Sequence, residues 1–428
     1  MDYLRGLLGL AVFVLVALLF SNNRKHIDWR LVAIGLVLQM LFGFLVLEVA
    51  LVRKGFERVS EGFVVFLDFS RSGAEFLFGT LTNSKDFGFI FAFQVLPTII
   101  FFSTVSAALY YLGVLQKIVF AIAWVMARTM RLSGTESLSA AGNIFLGQTE
   151  APLLIRPFIK NMTKSELNCL MTGGMATLAG GVLAGYVSYL GGDDPVERAR
   201  FASYLLSASI MNAPAAIVMS KILFPEAEPD KIDRSLQVSK ESLGVNVIDA
   251  MSTGAAEGLK LALNVGGMLL AFIAVIALFN HILGVVGEWI GVNEAIAAST
   301  DKLFGKLSLE YLLGIVGKPI AWLMGADWNE SLVVGSLIGQ KTTINEFIAY
   351  KQLAEYKEAA AISTKSIFIA TYALCGFSNF SSIAIQIGGI GGMAPERQGD
   401  LSKLGMRALL GASLACFMTA TIAAAIAG

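Results

Sequence analysis

The chain has 428 residues, 56% of them apolar and 15% charged, with 32 basic side chains balancing 32 acidic ones, and a mean hydropathy of +0.70. That balance excludes an ordinary water-soluble domain, and the absence of any basic block excludes a nucleic-acid partner. An all-α polytopic membrane protein, held in a lipid bilayer, is the fold class left.

Eight stretches reach the roughly 20 residues a helix needs to cross the hydrocarbon core: 4–21, 30–52, about 88–125, 165–190, 199–222, 258–284, 360–392 and 403–427. The first could pass for a secretory signal. Its amino end carries Asp2 beside Arg5, however, no small-residue cleavage site follows, and Arg24-Lys25 comes next, so it is expected to stay as a transmembrane helix. Within 53–87, GFERVSEGFVVFLDF reads as an amphipathic interfacial helix rather than a crossing. Short loops carry Arg24, Lys25 and Arg30, then Arg128 and Arg131, then Arg156, Lys160 and Lys164. Later groups are Lys221, Lys231, Arg234 and Lys240, then Arg397, Lys403 and Arg407. Counting crossings puts all of these on one side, taken as cytoplasmic, with GGDDPVERAR (191–200) opposite and both termini outside. Cys169, Cys375 and Cys416 are odd in number, lack metal-ligand spacing and read as packing residues.

Two regions, 133–158 and about 311–350, are apolar enough to enter the membrane yet are broken by polar and helix-breaking residues. The first contains GQTEAP (147–152), the second GSLIGQKTTINEFIAY (335–350), where Gly339-Gln340 again precedes an acid, Glu346. Each is expected to be a re-entrant helical hairpin. An interrupted helix follows each, GGMATLAGGVLAGY (173–186) and ALCGFSNFSSIAIQIGGIGG (373–392), and then an apolar closing helix. A long apolar helix precedes each, at 88–125 and 250–284.

The chain therefore divides into 1–87, scaffold helices with the interfacial segment; 88–222, a first repeat; 223–249, a cytoplasmic loop; and 250–428, a second repeat. If a hairpin makes no net crossing, each repeat crosses three times and the second is upside down relative to the first. Inverted repeats with paired broken segments at the bilayer midplane mark secondary transporters and their binding sites.

Irregular backbone at membrane depth is tolerated only where protein or a wet cavity satisfies it. Pro152 and Pro157 remove donors, and glycines at 147, 180, 181, 376, 388 and 389 permit unwound turns. A Glu near the midplane costs roughly 3 kcal/mol on insertion scales, so Glu150 and Glu346 call for a role. The plainer alternatives are a structural ion pair with Lys341 or Arg156, or a protonated core acid. For Glu48, Asp68, Glu75 and Glu257 the plain reading is preferred. The candidate site gathers Gln148, Thr149, Glu150, Glu346, Asn379 and Ser382, with Phe377 near the last two. So many acceptors suit an uncharged ligand bearing hydroxyl and N–H donors, and an aromatic ring suits a flat heterocycle. An anion would want Arg or helix amino ends. Lys341 is expected to snorkel.

GQTEAP at 147–152, NEFIAY at 345–350 and CGFSNFSS at 375–382 resemble the signature segments of the concentrative nucleoside transporter family, in similar order and spacing over essentially the whole chain. The resemblance implies eight transmembrane helices, two re-entrant hairpins and a homotrimer that imports nucleosides such as uridine across a bacterial inner membrane, down a cation gradient. It implies that Gln148, Thr149 and Glu150 meet the base beside Phe377 and Val182, and that Glu346, Asn379 and Ser382 hold the ribose. The family's sodium site falls on the Asn143 and Thr177 side chains and the Leu146 and Leu178 carbonyls. Thr177 stands where Ser is expected in sodium-coupled members, and the proton is the alternative coupling ion. An elevator-like motion of hairpins and broken helices against the scaffold is the implied mechanism.

An intramembrane enzyme and a channel are the alternative classes. An intramembrane enzyme lacks support, since the chain has only His26 and His281 and shows neither HExxH nor GxSxG. A phosphate-binding loop is excluded at Gly335 to Gly339, because three residues intervene and Gln340 replaces the Lys. A channel is the other alternative, with GxxxG spacings such as Gly181/Gly185 and Gly388/Gly392 fitting helix packing in either case.

Overall fold

Every described element is helical, the arrangement that satisfies backbone amides without water. The computed structural model describes residues 2–238 and 244–427, so Lys240 lies outside the described residues. Asp2–Leu19 (α1), Trp29–Leu47 (α2) and the amphipathic Ala50–Phe78 (α3) come first. Leu96–Tyr111 (α4) follows, then Val114–Met130 (α5), Gly134–Asn143 (α6) and a 3-10 segment over Ala151–Asn161. Lys164–Ala176 (α7), Gly180–Gly191 (α8) and Pro195–Leu223 (α9) close the first half. The second half holds Val247–Trp289 (α10), Leu309–Leu323 (α11), Ser331–Thr343 (α12), Glu346–Glu358 (α13), Thr364–Leu374 (α14), Phe380–Met393 (α15) and Gln398–Ala427 (α16).

Helix starts are written locally. Ser133 with Glu136, and Thr163 with Glu166, form capping boxes at α6 and α7, while Asn345, Ser363 and Asn379 cap α13, α14 and α15 through side-chain oxygens. The two boxes are joined, because the Thr135 hydroxyl donates to Glu166 Oε1 at 2.9 Å and buried Lys221 of α9 pairs with Glu136.

The two halves share one order: long helix, second helix, helix, polar turn, helical return, broken helix, closing helix. Six described stretches are long and apolar enough to cross a membrane, namely Trp29–Leu47, Phe91–Tyr111, Lys164–Gly191, Pro195–Leu223, Val247–Trp289 and Pro395–Ala427. Tyr3–Leu19 and Phe380–Met393 are apolar but shorter. Three expectations shift. The stretch 88–125 is not one helix, since Gly113 takes a left-handed φ of 71° and separates α4 from α5. Within the expected 311–350, the polar turn of the second half lies between α12 and α13, at Ile344-Asn345, and α11 is a separate helix. The helix breaks fall at 177–179 and 375–379, so among the glycines expected to unwind Gly376 stands in a break and Gly147 in the polar turn after α6, while 180, 181, 388 and 389 are helical. Gly180 and Gly181 are instead seats for the Phe102 ring of α4.

α4 packs along α10, while α1, α2 and α3 pack on the closing helices α9 and α16. α11 and α12 cross closely, because a methyl group on Gly317 or Gly335 would land on the other helix's backbone. Gly335→Val is expected to destabilise by about 1–3 kcal/mol through overpacking and lower the melting midpoint in detergent. Gly388→Val, where a Cβ meets open space, is the control. Equal melting of both variants refutes the close crossing.

Candidate functional site

All eight residues expected to meet a nucleoside line one cavity of about 620 Å³: Gln148, Thr149, Glu150, Val182, Glu346, Phe377, Asn379 and Ser382. The polar turns and the helix breaks bring them there. Gln148, Thr149 and Glu150 sit on the turn after α6, Phe377 in the break before α15, and Val182 in the first turn of α8.

Glu346 is the first residue of α13, where the helix dipole favours an anion. One carboxylate oxygen accepts from the Tyr186 hydroxyl at 2.9 Å and the other from the Asn379 amide at 2.8 Å. Tyr186 is fixed in turn by stacking on Tyr350, with ring centroids 4.3 Å apart. Asn379 also caps α15 by accepting from Ser382 N at 2.9 Å. Gln148 donates to Ser382 Oγ at 3.1 Å and accepts from Gln386 Nε2 at 3.1 Å. One network therefore joins the first polar turn to the second broken helix. Glu150 differs, in that its Oε2 is shielded and has no hydrogen-bond partner among the described residues.

Of the predicted cation ligands, Leu146 lines the same cavity. Asn143 ends α6, is 1% exposed, and neither atom of its amide has a hydrogen-bond partner among the described residues. Thr177 spends its proton on Gly173 O at 2.9 Å, leaving its lone pairs free. The Leu146 and Leu178 carbonyls lie outside any helix, on two segments tied together by Gly180 N donating to Phe145 O at 3.3 Å. Oxygen donors at the negative end of α7 fit a small hard cation.

Several expectations fail. Lys341 does not snorkel: it is 1% exposed and donates to Ala373 O at 3.0 Å. The Gly-Gln pairs are not equivalent, because Gln340 lies inside α12 and bonds Ser336 Oγ at 3.1 Å. Asp68 pairs with Arg198 at 2.8 Å and Glu75 with Arg71 at 2.8 Å, as plain surface acids do. Glu257, given the same reading, lines the cavity with Lys260 and Asn264 of α10. Their spacing, one and two turns apart on an apolar helix, was the signal for a polar face. Asn212, in mid α9, was also missed. Its Nδ2 donates to Ala176 O at 2.7 Å and to Cys375 O at 2.8 Å, tying together the ends of both interrupted helices.

Three family models match: "Na+ dependent nucleoside transporter N-terminus" over residues 8–81, "Nucleoside recognition" over 92–193, and "Na+ dependent nucleoside transporter C-terminus" over 204–424. An uncharacterized transporter of Haemophilus influenzae is 42% identical, with 100% of this chain and 99% of that protein covered. Sodium/nucleoside cotransporter 1 of Mus musculus is 40% identical over 97% of this chain and 62% of its own. The solved structure of CNTnw in an inward-facing substrate-bound state superposes with a TM-score of 0.90 at 40% identity, covering 100% of both chains. Matched from end to end by these models and relatives, the chain belongs to the Na+-dependent, concentrative nucleoside transporter family, whose members are carriers and not enzymes.

Proposed function

We propose that the protein is a sodium-coupled symporter that imports nucleosides, uridine among them, across a bacterial inner membrane. The observation that carries this reading is the convergence of Glu150, Glu346, Gln148, Thr149, Asn379 and Ser382, from both halves, on one cavity. Glu346, Asn379 and Ser382 take the ribose hydroxyls. Gln148, Thr149 and Glu150 meet the base edge, with Phe377 and Val182 along its faces. Asn143, Thr177 and the carbonyls of Leu146 and Leu178 hold the sodium ion. A cation there orders the turn that carries Gln148 and Glu150, so ion and nucleoside each raise the other's affinity by the same factor.

The eight crossings are α1, α2, α4, α7 with α8, α9, α10, α14 with α15, and α16. The hairpins, α6 with its 3-10 return and α12 with α13, enter and leave by one face each, and the second repeat is inverted. The cavity lies between these elements and a wall made by α4 and α10, which suits an elevator-like slide of one body past the other. α10 exposes Leu259, Leu263, Leu270 and Ile273, a face suited to lipid and to the sibling subunits of a homotrimer.

Radiolabelled uridine uptake into proteoliposomes tests the reading, with sodium and proton gradients imposed separately. An inward sodium gradient is expected to drive uridine above its external concentration. Uptake that stops at equilibrium would indicate a channel, and accumulation driven only by a proton gradient would replace sodium by the proton.

A further inference from the structure

The two broken helices end against each other. A Cβ on Gly376 would sit on the Ala176 carbonyl, and Asn212 holds the last carbonyl of α7 and the first of the second break from one nitrogen. Each helix C-terminus carries about half a negative charge, so two such ends in an apolar interior require positive charge nearby. In the first half that need meets Asn143, Thr177 and the two free-standing carbonyls, the cation ligands of the reading above. In the second half the counterparts of α6 and α7 are α12 and α14, which pack on each other as α6 and α7 do.

There the chain supplies its own charge. Lys341 stands in the last turn of α12, as Asn143 stands in the last turn of α6. Its ammonium donates at 3.0 Å to Ala373 O in the last turn of α14. The side chain is 1% exposed, and no carboxylate lies within ion-pair distance of it among the described residues, although Glu346 is within electrostatic reach. A buried lysine aimed at a helix end rather than at an acid has that end as its partner.

We propose that Lys341 is a tethered cation: its ammonium does at the end of α14 what the coupling sodium does at the end of α7. The second half then needs no ion, and each nucleoside is accompanied by one. The ammonium also positions Glu346, since it holds the end of α14, from which the chain runs through the break to Asn379. This inference rests on the sodium-symport reading and adds a role for a residue outside the cavity.

Lys341→Ser leaves room and a hydroxyl beside the α14 end. Its sodium activation of uridine binding is expected to change from hyperbolic to cooperative, with a Hill coefficient rising from about one towards two. Lys341→Met fills the volume without charge, and is expected to bind uridine at least tenfold more weakly at any sodium concentration. Lys341→Arg should restore the hyperbolic response. A Lys341→Ser protein with hyperbolic sodium activation and unchanged uridine affinity overturns the proposal. The unsubstituted protein provides a test that does not depend on any variant folding: reversal potentials in proteoliposomes are expected to report one charge per nucleoside, and two would overturn the tethered cation. Absence of sodium-driven accumulation by the unsubstituted protein would instead refute the symport reading itself.

Discussion

Glu346→Gln is expected to bind uridine about 30-fold more weakly with little change in melting. A hydrogen bond to a charged acceptor contributes about 1 kcal/mol more than one to a neutral acceptor, so two ribose hydroxyls lose about 2 kcal/mol. The fold tolerates the change because of the two groups that already hold the carboxylate. The Asn379 amide can only donate at its nitrogen, and the new amide's oxygen turns to it. The Tyr186 hydroxyl donates to the other oxygen but can reverse and accept from the new NH₂. Alanine would leave both partners orphaned, at about 1–3 kcal/mol each, and would mix a stability defect with a binding defect. Calorimetric titration of uridine in saturating sodium, beside a melting curve, separates the two. Unchanged affinity removes Glu346 from the ribose site.

The parts of this site that were legible in the sequence share one property: they are polar groups placed where an apolar chain has no other reason to put them. Gln148, Thr149, Glu150, Asn379 and Ser382 stand beside prolines, glycines or caps that already signal a broken helix, and all reach the cavity. What escaped lies in helices with no local anomaly. Asn212 looks like one polar residue in an apolar closing helix, and only the meeting of two helix ends 36 and 163 residues away explains it. Tyr186 and Gln386 likewise become site residues through partners in the other half of the chain. Glycines misled in the opposite direction. Their backbone freedom suggested unwound turns at 180 and 181, whereas those two are helical and leave room for Phe102. Glycine serves flexibility and close packing alike, and its neighbours in space decide between them. The second polar turn likewise falls where the letters do not put it. Gly339-Gln340 repeats Gly147-Gln148 in letters, but α12 runs on through its pair to Thr343 before it turns, whereas α6 ends at Asn143, ahead of its pair.

Asn143→Leu is expected to abolish sodium-dependent binding while leaving the sodium-free protein as stable as before, or more so. The sign follows from the orphaned amide. A buried Asn with neither Oδ1 nor Nδ2 hydrogen-bonded among the described residues carries an unrecovered desolvation cost, and an apolar side chain of similar length relieves it. A residue that weakens the fold until a ligand arrives is retained for the ligand. In the unsubstituted protein, sodium at about 100 times its dissociation constant is expected to stabilise by about 2.7 kcal/mol, visible as a melting midpoint several degrees higher in sodium than in choline. The leucine variant should melt alike in both salts, and its uridine affinity should no longer respond to sodium. Retention of the full sodium shift would place the cation away from Asn143. A variant that instead unfolds in choline more readily than the parent would make Asn143 a packing residue, with no claim on the ion.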